Sequence, residues 1–141
     1  MTAATVAAKL GGRRVLKREV RSELDLAALV REGLPVAALE FLARRLMAGE
    51  IYRLIGSPRT LQRKRAAGTR LSPDESDRLT RVARLIARAE EALGDPATAI
   101  HWLRRENRAL GGVRPLQALD SDAGALAVER VLGRIEHGVY S

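Results

Sequence analysis

Between positions 59 and 63 the chain carries Arg59, Thr60, Gln62 and Arg63, side chains of the kind that read base edges in a DNA groove. Arginine forks guanine, Gln pairs with adenine, and Thr meets a base or a thymine methyl. They follow Ser57-Pro58, a good N-cap and a residue suited to the first helical position, so a helix is expected from Pro58. At about 100° per residue, Leu61 then falls on one side while the four polar side chains fan over the other side and its edges. Lys64 and Arg65 lie nearer the flanks, where phosphates would be. Ser57, Arg59, Thr60, Gln62, Arg63, Lys64 and Arg65 are therefore the candidate DNA contacts. The competing reading of such a basic run is a solvated cationic helix on a protein that is simply rich in Arg.

Other chemistry is sparse. His101 and His137 are the only histidines, and neither has a partner at metal-ligand spacing, so no metal site is expected. Gly111-Gly112 lacks the surrounding pattern of a phosphate-binding loop and reads as a turn. No nucleophile has an adjacent base, and Glu90 and Glu91 point about 100° apart on a helix, which is poor for paired acid and base work. Neither an enzyme nor a cofactor is expected.

The 141 residues are 46% hydrophobic but only 3% aromatic, so the core must be built from Leu, Ala, Val and Ile. With few strand-favouring runs, an all-α fold is expected. The absence of cysteine excludes a disulfide framework and thiol chemistry. No apolar run approaches the roughly 20 residues of a membrane span, and the opening Met1 to Ala8 lacks the pattern of a secretory signal. A cytoplasmic protein with no membrane partner is expected by default. The net charge of +8 is unevenly spread: residues 1–70 hold 15 Lys or Arg against 6 Asp or Glu, and residues 71–141 hold 10 against 11. The first half would attract a polyanion by counterion release, and the near-neutral second half would not, which implies two jobs.

Four segments would position these residues. Residues 1–21 show no sustained period and are expected to be a mobile N-terminal segment. Residues 22–70 have the layout of a helix-turn-helix: a short helix from Ser22 to the stop at Gly33, an amphipathic helix from Pro35 to Met47, and a break at Gly49. A second short helix follows over Glu50 to Ile55, then a corner at Gly56 and the basic helix plugged by Leu61. Residues 71–94 open on the capping box Ser72-Pro73-Asp74-Glu75 and run as one long helix. Its stripe Leu79, Val82, Ala83, Ile86, Ala89 and Leu93 packs internally or forms a dimer contact, and Arg78, Arg81, Arg84 and Arg88 read as a solvated face. Residues 95–141 begin at the cap Asp95-Pro96, include Trp102 as a core residue, and finish with a short helix at Pro115 to Leu119 and a last helix capped by Asp122. Gly138 ends that helix and leaves Val139-Tyr140-Ser141 as an exposed tail, costly unless something covers it.

The stretch Glu32-Gly33-Leu34-Pro35, the run Ser57 to Arg65, and Leu71-Ser72-Pro73 with Ser76-Asp77-Arg78-Leu79 form one set of short motifs. Trp102-Leu103, Asn107, Leu110-Gly111-Gly112, Pro115-Leu116, Gly124, Val128, Leu132 to Glu136 and Gly138-Val139-Tyr140 form another. Taken in order, over about residues 22 to 141, they resemble the Xre/MbcA/ParS-type antitoxins. The resemblance implies a type II antitoxin that represses its own operon through the helix-turn-helix and blocks a RES-domain, NAD-degrading toxin through its C-terminal domain and tail. On that basis Trp102, Leu103, Asn107, Leu110, Gly111, Gly112, Pro115 and Leu116 build the toxin-binding domain. Arg134, Glu136, Gly138, Val139, Tyr140 and Ser141 lie at or near the toxin, with Tyr140 filling an apolar cleft and Arg134 pairing with an acidic or phosphate-binding site. The implied partners are that toxin, operator DNA and a second copy of the chain in a higher complex. One departure stands out: Glu106 occupies the place where many relatives have proline, which bears on the local turn. The alternative is a stand-alone helix-turn-helix regulator whose C-terminal half dimerises. An RNA-binding role is disfavoured by the scarcity of aromatic rings for base stacking.

Overall fold

The computed structural model describes residues 1–46 and 48–138, apart from the side chain of Ala48. Every regular element among them is helical, and one isolated antiparallel bridge joins Pro35 to Arg70. The chain divides into two units, residues 1–83 and the residues from Arg84 onward.

The first unit starts with α1 (Ala3–Lys9) and α2 (Gly12–Leu16), so residues 1–21 are not the loose segment expected of them. Thr2 caps α1 by accepting from the Thr5 amide at 3.2 Å, and Val6 and Leu10 are fully buried. Ala3, Val6, Ala7 and Leu10 do recur at helical spacing, but two alanines make a faint stripe that gains its value only by packing. Helix α3 (Glu23–Glu32) carries a full capping box between Ser22 and Asp25. It ends at Gly33, whose φ of 93° and close approach to the Leu71 carbonyl, 2.3 Å from a would-be Cβ, leave no room for a side chain. The next residues are laced to the start of the long helix α7 (Pro73–Leu93). Arg70 donates to the Gly33 carbonyl at 2.8 Å, the Leu71 amide to Leu34 at 2.9 Å, and the Leu34 amide to the buried Ser76 hydroxyl at 2.8 Å.

Helix α4 (Val36–Ala43) is shorter than the expected run to Met47. It gives way to a turn where Arg44 and Arg45 face solvent, their guanidinium carbons about 6 Å from the Phe41 ring. Gly49 does not break the chain: it lies in the first turn of α5 (Ala48–Ile55), where a glycine costs only about 1 kcal/mol relative to alanine. Helix α5 buries Ile51, Leu54 and Ile55. Helix α6 (Pro58–Ala67) begins where Ser57-Pro58 predicts, with Ser57 accepting from the Thr60 amide, and Gly68 closes it in the left-handed conformation. The stripe Leu79, Val82, Ala83, Ile86 and Ala89 of α7 is almost wholly buried within the single chain, so it is not a free face for a second copy.

The second unit holds the end of α7 with α8 (Pro96–Arg104), α9 (Pro115–Ala118) and α10 (Asp122–Glu136) around Ile86, Leu103, Leu119, Val128 and Leu132. Asp95 caps α8. Between α8 and α9 a 3-10 turn, Arg108–Leu110, is capped by the Asn107 side chain, and Gly111 and Gly112 with φ of 70° and 88° bring the Gly112 amide back to the Asn107 carbonyl. Arg105 is extended, the conformation that a proline at position 106 would also demand, so Glu106 stands in a turn whose shape a proline could share. Ser121, rather than Asp122, caps α10; its hydroxyl accepts from the Gly124 amide at 3.0 Å. A Cβ on Gly124 would lie 1.8 Å from the Ala118 carbonyl, so α10 can start against α9 only with glycine there. Gly124→Ala is expected to lower stability by about 1–3 kcal/mol, read as an earlier midpoint in denaturant unfolding of the full chain; an unchanged midpoint would show that the corner has slack.

Candidate functional site

Helix α6 presents Arg59, Gln62 and Arg63 to solvent and turns Leu61, 3% exposed, inward. Thr60 sits half-buried at the edge, with its hydroxyl 2.8 Å from that of Ser57. The Ser57 and Thr60 hydroxyls are thus engaged in building the helix start, which sets the direction of the exposed face. Arg65 is exposed, with Nε 3.1 Å from the Glu40 carboxylate.

Lys64 departs from expectation. Its ammonium is turned onto Glu75 of α7, and the two side chains are only 20% and 8% exposed, so it does not stand free for a phosphate. The same carboxylate accepts from the Ser72 amide at 2.8 Å. Burial pushes the Glu75 carboxyl upward, but hydrogen bonding from Lys64 and from the Ser72 amide, with the Lys64 charge, outweighs it and leaves the group below its ordinary value. One turn further along α7, Arg78 donates from Nε to the Ile55 carbonyl at 2.8 Å, satisfying the last turn of α5. Gly56 lies between these two attachments, where a Cβ would come within 3.1 Å of the Glu75 carboxylate; closeness, rather than a left-handed backbone, is what it supplies. Glu75 and Arg78 were thus missed as positioning residues: Glu75 was visible only as a helix cap, and Arg78 only as a surface charge. The α7 arginines are not a solvated face either. Arg78, Arg81, Arg84 and Arg88 are all half-buried, and Arg81 lies 3.7 Å from Asp77.

In the second unit Arg88 grips Glu136 with both terminal guanidinium nitrogens, at 2.7 and 3.2 Å. That bond holds the Glu136 carboxyl below its ordinary value and engages a charge expected to face a partner. Arg134 is exposed, and with Arg130 and His137 it edges an open cleft of about 550 Å³ on α10. Gly138, with φ of 72°, follows the end of α10. Val139, Tyr140 and Ser141, expected to reach a partner, lie outside the described residues. Leu103, Pro115 and Leu116 are buried, and Leu110 and Asn107 are half-buried. Trp102 is only half-buried: it lines a cleft of about 340 Å³ with His101 and Asn107, and Leu103 takes the core position beside it.

No helix among the described residues is long and apolar enough to cross a membrane. Residues 25–84 match the antitoxin Xre-like helix-turn-helix domain, and residues 88–138 match the antitoxin Xre/MbcA/ParS C-terminal toxin-binding domain. Antitoxin Xre of Photorhabdus laumondii is 36% identical over 120 residues, covering 82% of this chain and 81% of that protein. Antitoxin Xre of Yersinia enterocolitica is 39% identical over 94 residues, 65% of this chain and 64% of that protein. A protein of Sphingobium sp. named Prs ADP-ribosylating antitoxin is 31% identical over 91 residues, 58% of this chain and 57% of its own length. The capped helix with its exposed Arg59, Gln62 and Arg63 lies within the first matched region and helices α8 to α10 of the second unit within the other: the chain belongs to the Xre family of antitoxins, with a helix-turn-helix DNA-binding domain followed by a toxin-binding domain.

Proposed function

We propose that this antitoxin neutralises a RES-domain toxin that consumes NAD and represses its own operon, with residues 22–70 reading the operator and residues 95–141 holding the toxin, joined by residues 71–94. The observation that carries the division of labour is the allocation of exposed charge. Arg59, Gln62 and Arg63 form a solvent-facing base-reading set on α6, in the half of the chain with 15 cationic against 6 acidic residues. The name of the Sphingobium relative points to ADP-ribosyl transfer, a reaction that draws on NAD without being its degradation, so it supports a toxin that uses NAD and no more than that. Gly138 to Ser141, following α10, are the segment we assign to the toxin's pocket. Helix-turn-helix proteins commonly bind two half-sites as dimers, and with the α7 stripe covered a dimer contact has to lie elsewhere on the chain.

The test is co-expression with the toxin encoded in the same operon, with cellular NAD as the readout. NAD is expected to collapse with the toxin alone and to be restored by the full chain. A toxin that arrests growth while NAD stays level would overturn the RES assignment.

A further inference from the structure

The cleft on α10 carries more than one unpaired charge. Its floor is apolar, from Leu110, Ala127 and Val131, and its edge carries the cations Arg130 and Arg134, with the imidazole of His137 beside them. The two arginines are four residues apart, so they share one face of α10. Arginines four apart on a helix repel each other, and nothing acidic among the described residues of that face relieves them. Leu126 and Ala127 lie one turn before, His137 and Gly138 one turn after, and the nearest acids along the helix are Glu129, about 100° round it, and Glu136, gripped by Arg88. Neither Arg130 nor Arg134 makes a side-chain hydrogen bond or ion pair among the described residues, whereas Arg18, Arg78 and Arg88 each have an acceptor. This concentration of positive charge falls in the half of the chain that is slightly acidic as a whole.

We infer that this cleft is the docking groove for an acidic amphipathic segment of the toxin, an inference that rests on the toxin-binding role proposed above. An incoming helix or strand would lay its apolar side on Leu110, Ala127 and Val131 and place carboxylates against Arg130 and Arg134, each able to take a carboxylate in two parallel bonds. A nucleic acid would meet the same arginines with phosphates but has nothing to bury against the leucine, alanine and valine between them. The apolar floor is what favours a protein segment.

The experiment uses the full chain co-purified with the toxin of its operon. Arg130→Glu together with Arg134→Glu is expected to weaken the complex by about thirtyfold and to flatten its salt dependence, with operator binding unchanged. Arg130→Lys with Arg134→Lys should stay within a few-fold of the original, because the charge remains. Ala127→Leu, which fills the floor without touching a charge, should also weaken the complex. Because Arg130 and Arg134 are both exposed, their variants are expected to keep the helical circular dichroism of the parent. Unchanged toxin affinity in the Glu variant overturns the inference, and so does a Glu variant that keeps the toxin but loses operator DNA, which would make these arginines phosphate contacts. A parent chain that fails to hold the toxin at all would instead overturn the proposed function, and the groove with it.

Discussion

Changing Arg59 and Arg63 together to alanine is expected to lower operator affinity by about a hundredfold or more, since one good bidentate arginine–guanine contact is worth about 1–3 kcal/mol. Both side chains are exposed, and neither has a partner among the described residues that would compete with DNA for it. Both lie in the first two turns of α6, the part of a recognition helix that meets base edges. Their removal leaves the Ser57 cap, Leu61 and the Lys64–Glu75 pair untouched, so α6 keeps its place. Titration of a labelled operator fragment at several salt concentrations separates two roles. If these arginines read bases, the variant would show a relaxed sequence preference; if they hold phosphates, it would bind all sequences more weakly and reduce the salt slope by about one per residue. Co-expressed with the toxin, the same variant should protect cells as well as the parent does. Unchanged operator affinity would remove α6 as the reading element; loss of protection along with DNA binding would show that the two functions are not separable.

Local chemistry made this helix legible from its residues. Ser57-Pro58 marks its start, Leu61 marks its inward side, and both signals act within one turn of chain. The fate of Lys64 was hidden, because it depends on Glu75, which belongs to the next helix and was readable only as the partner of Ser72. The arginines of α7 were misread for the same reason. A charge in a helical pattern reads as solvent-facing unless its acceptor is known, and here the acceptors are Ile55, 23 residues before Arg78, and Glu136, 48 residues after Arg88. Gly33 and Gly124 were readable as breaks or as marks of resemblance. Their necessity comes from the carbonyls of Leu71 and Ala118, which only the folded chain brings near. At the N-terminus the stripe was present but written largely in alanine, and its burial is what turned a faint period into two packed helices.

Glu75 is where the fold and the proposed DNA-reading face meet, and its replacement should be the most damaging single change to a charged residue in the first unit. Glu75→Leu removes the partner of a mostly buried ammonium and the acceptor of the Ser72 amide, an expected loss of about 3 kcal/mol. Glu75→Gln keeps the shape and one acceptor but not the charge, and should cost less. The sign of the pH dependence follows from the carboxyl lying below its ordinary value of 4.5 in the folded chain. The stabilisation is fully present above that value and is lost as pH falls from there through the lowered folded value, because the unfolded chain takes up the proton first. Glu75→Gln should therefore flatten this part of the acid limb while lowering stability at neutral pH. Lys64→Met provides the other arm: it leaves burial, the largest influence on Glu75, opposed chiefly by Ser72, so the acid loss should shrink while the neutral-pH penalty remains. Denaturant midpoints from pH 7 down to about 3 for the parent, both single variants and the Lys64→Met/Glu75→Leu double variant would give the coupling directly. If the pair holds α6 as the geometry indicates, the double variant should be more stable than the sum of the single losses allows. The recovered stability should also be accompanied by recovered operator affinity, since Lys64 itself makes no phosphate contact on this account. Additive losses, or a salt slope that falls when Lys64 is removed, would return Lys64 to the DNA interface and leave Glu75 as a helix cap alone.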